Sequence, residues 1–388
     1  MRKMQFISFT LMLLLTVSLS ACSAGPTAEV ICGDGICSDG EDASSCATDC
    51  DADLAVLPSS TPQPTPTEVI EPIGYITFAV YVSDFVNHEK SAQTVLALID
   101  LFTANGMRGE FYLSGQMAQL FSQEYGEVID RLGATDMTIS YHVQPPHPQI
   151  PGFQGPVTGL PVDQTLAMIT RYETERLDLE TGGLIAGEPG GYRYLEQLFG
   201  KPPVAVETPR TPGSGFALPI FTRLGAQVVV LPGVANPQQP FISQYEMLVR
   251  PEDITIDRWQ VEGVDGARGW WEMQSNEFSS AFDPLDRLQI LTEAWDSERL
   301  PFVLVPIDEF SFYRAGPAPW TLIYYQDGER SGPKAPSFDL NAPDPSAARP
   351  ESDQQAVWEA YADMVEWAGV YLEPVTSAEI TVLAGATE

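Results

Sequence analysis

The chain has 388 residues, long enough for one large domain or two ordinary ones. Its hydrophobic content of 44% is normal for a packed globular domain. It carries 53 acidic and 20 basic side chains, which gives a net charge of −33. A field of that sign repels phosphate backbones and anionic lipid headgroups, so it argues against nucleic acid as a partner. The same negative charge is compatible with neutral or cationic glycans and with bound cations as ligands.

The first residues have the pattern of an export signal. Residues 6–17 form an apolar segment, preceded by two basic residues, that is too short to span a bilayer comfortably. Leu-Ser-Ala-Cys at residues 19–22 resembles the bacterial lipobox. The resemblance implies a signal peptide over residues 1–21, a diacylated Cys22 and an extracytoplasmic protein anchored to the membrane by lipid. The alternative is an ordinary cleaved signal peptide that leaves Cys22 as a spare thiol.

A cysteine-rich segment completes residues 22–50. Setting Cys22 aside leaves four cysteines of the five: Cys32, Cys37, Cys46 and Cys50. In an oxidising compartment these four predict two disulfides that hold a small module, with three possible connectivities. The spacing resembles a short Cys-rich repeat of bacterial surface proteins. Acidic residues between the cysteines offer oxygen ligands for Ca²⁺, although the same residues can simply keep the loop solvated.

Residues 51–72 are rich in proline and threonine, which predicts an extended, semi-rigid linker. The main domain is therefore expected over residues 73–388, where short apolar runs alternate with helical periodicity. The predicted strands are 75–82, 109–114, 137–141, 204–206, 227–231 and 302–307, and the predicted helices are 91–104, 121–132 and 353–367. Strands that alternate with helices predict an α/β fold with a parallel sheet, either doubly wound or closed into a barrel.

The chain contains three histidines, and each follows a predicted strand: His88, His142 and His147. His142 and His147 are five residues apart on a proline-rich loop, and Asp84 follows the first strand. Two imidazoles and a carboxylate from neighbouring strand ends can form a facial metal set with open positions for water and substrate. The alternative for each histidine is a hydrogen-bonded structural role.

The order of these motifs resembles the polysaccharide deacetylases with the NodB homology domain. The resemblance covers about residues 75 to 310 and implies a distorted (β/α) barrel of seven strands. It also implies metal-dependent hydrolysis of N- or O-acetyl groups on an extracellular or cell-wall polysaccharide. Asp84, His142 and His147 would hold Zn²⁺ or a similar ion, and Arg210, in Pro-Arg-Thr-Pro, would orient a carboxylate near the site. The alternative for Arg210 is a surface or structural salt bridge.

The chain also departs from that family's pattern. Ser83 stands where the family has its catalytic aspartate, the histidine spacing is one residue longer, and Asp308 stands where the family has a late catalytic histidine. Asp308 or Glu309 can replace the missing acid or base if burial raises its pKa. Two other functions stay open: a catalytically impaired barrel that binds polysaccharide, and a glycoside hydrolase with paired carboxylates such as Asp308 and Glu309.

Aromatic residues in the glycine- and proline-rich stretches give separate information. They are Trp259, Trp270, Trp271, Tyr313, Trp320, Tyr324 and Tyr325. Exposed rings on loops stack on sugar faces, whereas buried rings only pack the loops. As a group they favour a saccharide ligand, and nothing in the sequence indicates an oligomer, so we expect a monomer.

Overall fold

The computed structural model describes residues 70–388 with gaps, all within the compact unit Val69–Glu388. The gaps are 209–214, 237–238, 250–257, 265–282, 294, 296–300, 315–317, 329–331, 345–347 and 386–388. The expectations for the signal peptide, Cys22, the four other cysteines, a Ca²⁺ site among them, most of the linker and Arg210 therefore lie outside the described residues.

The described strands come in the following chain order: β1 Gly74–Val82, β2 Gly109–Leu113, β3 Thr138–His142, β4 Glu175–Leu177, β5 Leu184–Pro189, β6 Ala205–Glu207, β7 Val228–Asn236, β8 Gln239–Val249, β9 Arg258–Val264, β10 Phe302–Asp308 and β11 Leu372–Pro374. The described helices are α1 His88–Ala104, α2 Gly115–Glu124, α3 Gly126–Ala134, α4 Val162–Thr174, α5 Gly191–Phe199, α6 Ala217–Leu224, α7 Pro284–Glu293, α8 Trp320–Tyr324, α9 Glu351–Tyr371 and α10 Ser377–Gly385.

The main sheet curls into a barrel. Its strands pair in the order β1-β2-β3-β6-β7-β8-β9-β10, and β10 pairs in turn with β1, which closes the ring. β8 runs antiparallel to both of its neighbours, and the other pairs in the ring are parallel. β11 adds to the amino end of β1, and β4 and β5 form a separate antiparallel pair. The expected (β/α) barrel is confirmed.

Two layers of buried residues follow from the alternation of side chains along the strands. On β1, Phe78 and Val80 face outward and pack with residues such as Phe102 of α1, in the layer between the sheet and the helices. Ala79 and Tyr81 face into the barrel, in the inner layer. The helix periodicity predicted for α1 is borne out because Val95, Leu98, Ile99 and Phe102 are all buried.

The structure differs from the sequence expectation in three places. The described ring has eight strands instead of seven, because the antiparallel strand β8 and then β9 stand between β7 and β10. The helix predicted over 121–132 is two helices, since the backbone of Tyr125 leaves the helical region (φ −134°, ψ 51°) and α3 begins at the next residue. The third difference is that β11 and α10, which follow α9, were not among the predicted elements.

A helix needs about 20 mostly apolar residues to cross a bilayer. None of the helices in the described part of the chain is both long enough and apolar enough to cross a membrane.

Candidate functional site at the carboxyl ends of the strands

Five side chains lie on the inner face of the barrel at the carboxyl ends of its strands: Tyr81, Tyr112, His142, Glu207 and Asp308. We call these five residues the barrel mouth. Register places them on one face, because Tyr81 pairs with both Tyr112 and Asp308, and His142 pairs with Glu207. Paired residues of neighbouring strands point to the same side of a sheet. This end of a parallel barrel is where ligand and catalytic sites are usually found.

The barrel mouth contains two buried aromatic rings and three polar side chains. The rings of Tyr81 and Tyr112 are buried and lie 4.9 Å apart between centroids. The imidazole of His142 meets the Tyr81 ring edge-on at 5.3 Å. His142 and Asp308 are half-buried, whereas Glu207 is buried. A ligand that approaches from solvent would therefore meet His142 and Asp308 first.

Gln144 lies beside His142 just beyond the end of β3. Its Nε2 is 3.4 Å from Nδ1 of the imidazole, and the side chain is buried. The Oε1 atom of Gln144 has no hydrogen-bond partner within the described part of the chain. An imidazole, an amide and a carboxylate together can donate to and accept from the hydroxyl groups of a polar ligand.

Asp84 has a different environment, because its carboxylate organises the turn between β1 and α1. Oδ1 accepts hydrogen bonds from the backbone N–H groups of Val86 at 2.9 Å and Asn87 at 2.8 Å. Oδ2 accepts from the Tyr313 hydroxyl at 2.7 Å and from the Asn87 amide at 3.2 Å. Both oxygens of this fully buried carboxylate are thus used by donors of the protein.

A second carboxylate extends this hydrogen-bonded turn toward the surface. Asp344 accepts from the amide of Asn87 at 2.8 Å and from the guanidinium of Arg314 at 2.9 Å. The side chain of Arg314 is 2% exposed. The network therefore joins the β1–α1 turn to the segment before α9, through charged groups that are removed from solvent.

His147 lies in yet another environment, against α4. Its Nδ1 accepts from the backbone N–H of Gln149 at 3.1 Å, and its Nε2 is 2.8 Å from Oε1 of the buried Glu173. That contact has the distance of an ion pair. The ring of Tyr172 lies 5.5 Å from the imidazole. Both imidazole nitrogens of His147 thus contact groups of the protein, the Gln149 backbone and Glu173 of α4.

The third histidine begins α1 and does not reach the barrel mouth. Nδ1 of His88 is 2.7 Å from the Tyr125 hydroxyl and 3.6 Å from the carboxylate of Glu124. These contacts join α1 to the junction between α2 and α3, which is the structural role that a lone histidine usually has.

The predicted metal ligands Asp84, His142 and His147 are consequently not brought together. Across the described residues, no group of three His, Cys, Asp or Glu side chains is placed to hold a metal ion. Both oxygens of Asp84 accept hydrogen bonds, from the β1–α1 turn and from Tyr313. His147 faces Glu173, and His142 faces the barrel interior. A Zn²⁺ ion held by these three residues therefore does not fit the arrangement.

Glu309 is also absent from the barrel mouth, because it follows Asp308 and points to the other side of the sheet. Its Oε1 accepts from the backbone N–H groups of Ser83 and Asp84, both at 2.7 Å, and from the Ser91 hydroxyl at 3.0 Å. Its Oε2 has no hydrogen-bond partner in the part of the chain that the structure describes. Burial, together with the charge of Asp84, raises the pKa of Glu309 to about 8.

The aromatic residues predicted to stack on a sugar differ in how far they are exposed. Tyr313, Tyr324 and Tyr325 are buried, so they pack the loops and offer no face to a sugar. Trp320 is half-buried and lies 5.9 Å from the Tyr325 ring. Trp259 lies in strand β9 and not in a loop, whereas Trp270 and Trp271, like Arg210, lie outside the residues that the structure describes.

Only part of this site could be predicted from the sequence. Asp308 and His142 were singled out and do lie in the barrel mouth, but Tyr81, Tyr112 and Glu207 were not. Glu207 ends β6 one residue beyond the predicted strand. The two-residue period of strands could have identified it, since it points to the same side as Ala205 in the inner layer.

Comparisons with known proteins give no family for the chain. No family model matches the sequence, and no curated protein is similar enough to match it. Among solved structures, the chain is similar to a polysaccharide deacetylase from Bacillus cereus at 11% identity, over 79% of this chain and 93% of the other, with a TM-score of 0.32. It is also similar to a putative phosphomethylpyrimidine kinase from Bacteroides thetaiotaomicron at 13% identity, over 59% and 91%, with a TM-score of 0.17. Both likenesses are distant, and the fold assignment rests on the strand pairing described above.

Proposed function

We propose that the chain is a polysaccharide-binding protein that takes its ligand at the barrel mouth, on a deacetylase-like barrel without that family's three-ligand metal centre. One observation carries the proposal. His142 and Asp308 lie half-buried at the carboxyl ends of the barrel strands, whereas Asp84 and His147 contact groups outside the barrel mouth. The acidic charge of the chain supports a neutral or cationic glycan over an anionic one.

The arrangement offers the chemistry that a sugar needs. Hydroxyl groups of a saccharide are both donors and acceptors, and the imidazole of His142 and the carboxylate of Asp308 supply both functions at one opening. The buried tyrosine pair beneath them gives the site a rigid base. Anchorage through Cys22 remains part of the proposal, because a membrane-held protein of this kind meets polymers outside the cell.

Binding to insoluble polysaccharides tests the proposal. The purified mature chain is mixed with chitin, xylan or cell-wall polysaccharide, and bound protein is measured after sedimentation. We expect retention by at least one polymer, with a loss of about tenfold in affinity for His142→Ala and Asp308→Asn. His88→Ala is the matched control, because His88 contacts Tyr125 and lies away from the barrel mouth.

Two outcomes contradict the proposal. Retention that is the same for wild type, His142→Ala and Asp308→Asn would place binding elsewhere. Release of acetate from an acetylated polymer, abolished by a chelator and by Asp84→Asn, would instead show a metal-dependent deacetylase.

A specific observation favours a second candidate, hydrolysis of glycosidic bonds by two carboxylates. β10 and β6 are separated by three strands in either direction around the ring, so Asp308 and Glu207 end opposite strands of the barrel. Glycosidases use such a pair on either side of the scissile bond. Release of reducing sugar that both Asp308→Asn and Glu207→Gln abolish would establish this candidate, and its absence on all polymers that bind would reject it.

A further inference from the structure

Glu110 lies inside the barrel, below the barrel mouth, with its carboxylate fully removed from solvent. Oε1 accepts from the Tyr112 hydroxyl at 2.5 Å and from the Ser140 hydroxyl at 2.9 Å, and Oε2 accepts from the backbone N–H of Ser377 at 2.8 Å. Ser377 is the first residue of α10. Burial raises the pKa of the Glu110 carboxyl.

The donors around Glu110 come from separate parts of the fold. β2 supplies Tyr112, β3 supplies Ser140, and the start of α10 supplies Ser377. Ser140 also accepts from the backbone N–H of Ala205 on β6, at 3.1 Å. One carboxylate therefore ties three neighbouring strands of the ring to the C-terminal helix.

A continuous series of contacts leads from Glu110 to the barrel mouth. The hydrogen bond from Tyr112 fixes the hydroxyl end of that side chain, so its ring is held 4.9 Å from the ring of Tyr81. The Tyr81 ring in turn meets the His142 imidazole edge-on at 5.3 Å. The rings of Tyr81 and Tyr112 are both buried. Because a close-packed interior has few voids, a shift of the Tyr112 ring should shift the Tyr81 ring and the His142 imidazole beside it.

We propose that Glu110 is a positioning residue: through Tyr112 and Tyr81 it sets where the His142 imidazole stands at the barrel mouth. The proposal rests on the proposed function only for the consequence in ligand binding. The position of the imidazole itself can be measured without any ligand.

The histidine content of the chain makes that measurement direct. The mature protein has three histidines, so a spectrum of histidine-labelled protein contains three imidazole signals, assigned with His→Gln variants. In Glu110→Gln we expect the His142 signal to move, because an amide nitrogen cannot accept from Ser377 and the network has to rearrange. His88, joined to Tyr125 on another part of the fold, is the internal reference and should not move.

Tyr112→Phe is the second variant: it keeps the aromatic ring but removes the hydroxyl through which Glu110 holds that ring in place. We expect it to move the His142 signal in the same way, so the proposal is tested even if Glu110→Gln fails to fold. Glu309→Gln is the matched control, a buried carboxylate that has no contact with Tyr112 or Tyr81. It should leave the His142 signal in place.

Affinity for the polysaccharide that the wild type binds is the second readout. A displaced imidazole should weaken it by about tenfold in Glu110→Gln. A His142 signal that stays at its wild-type position in folded Glu110→Gln and Tyr112→Phe would overturn the inference. A His142 signal that moves in a protein that binds no polysaccharide would uphold the inference and reject the proposed function.

Discussion

Glu110 and Glu309 are both fully buried carboxyl groups, but their hydrogen bonding differs. Glu110 accepts on both oxygens, whereas Glu309 accepts three hydrogen bonds on Oε1 and none on Oε2 within the described residues. Burial raises the pKa of both groups. The difference shows two uses of a buried acid: Glu110 joins parts of the fold as a double acceptor, and Glu309 can remain a neutral acid behind the β1–α1 turn.

The largest expected effect is the loss of stability when the Glu110 carboxylate, which accepts on both oxygens, is removed. Glu110→Ala leaves the Tyr112 hydroxyl, the Ser140 hydroxyl and the Ser377 N–H inside the barrel without their acceptor. Each buried donor without a partner costs about 1–3 kcal/mol, and relaxation recovers part of the sum, so we expect about 3 kcal/mol of lost stability. Urea unfolding of the variant and the wild type measures this. A loss below about 1 kcal/mol would mean that water replaces the carboxylate easily.

The next largest effect is a pH dependence of the unfolding free energy, which the Glu309 carboxyl contributes. Its pKa in the folded protein is about 8 against an ordinary value of 4.5, so the folded state holds the proton more tightly. The resulting stabilisation is complete below about pH 4.5 and is lost as the pH rises through about 8. Between about pH 5.5 and 7 the unfolding free energy should fall by about 2 kcal/mol from this group alone.

Glu309→Gln isolates that contribution, because the amide keeps the shape of the neutral acid and does not titrate. The difference in unfolding free energy between wild type and variant should therefore fall as the pH rises. The pKa of Glu110 is also raised. Because Glu110 is present in both proteins, its contribution to the difference cancels. A difference that is constant over this pH range would show that Glu309 is ionised in the fold.

A smaller effect is expected at Asp84, and it separates a turn acceptor from a metal ligand. Asp84→Asn keeps an oxygen for the backbone N–H groups of Val86 and Asn87 but removes the charge beside Glu309. We expect about 1.5 kcal/mol of lost stability, a lower pKa for Glu309, and no change in bound metal. Elemental analysis and the pH series above measure these. Loss of one metal equivalent per chain would restore the ligand assignment.

The alternation of strands and helices predicted a parallel sheet, either doubly wound or closed into a barrel, and the family resemblance implied the barrel. β1, β2, β3 and β10 are almost fully buried runs bounded by turns, and helical periodicity between them is strong. β8 and β9 were not predicted, since the chain there lacks the alternation with helices on which the prediction rested. Short-range pattern gave β7 but not the antiparallel strands that follow it.

Site prediction was limited by a different factor, the direction in which neighbouring side chains point. Asp308 and Glu309 are adjacent, so a strand sends one into the barrel mouth and the other behind the sheet. His142 ends β3, while His147 lies five residues further along a loop whose path depends on Glu173 of α4. Spacing along the chain cannot provide that path, which a long-range contact determines.

The smallest expected effect comes from Tyr313, whose hydroxyl donates to Asp84 at 2.7 Å. Tyr313→Phe removes one donor from a carboxylate that keeps three others, so we expect about 1 kcal/mol of lost stability by urea unfolding. Tyr324→Phe is the matched control, because the Tyr324 hydroxyl is buried without a hydrogen-bond partner in the part of the chain that the structure covers. Removing it should cost nothing or stabilise the fold. Equal losses in the two variants would mean that the hydrogen bond to Asp84 adds nothing beyond ring packing, and that the turn depends on the backbone donors alone.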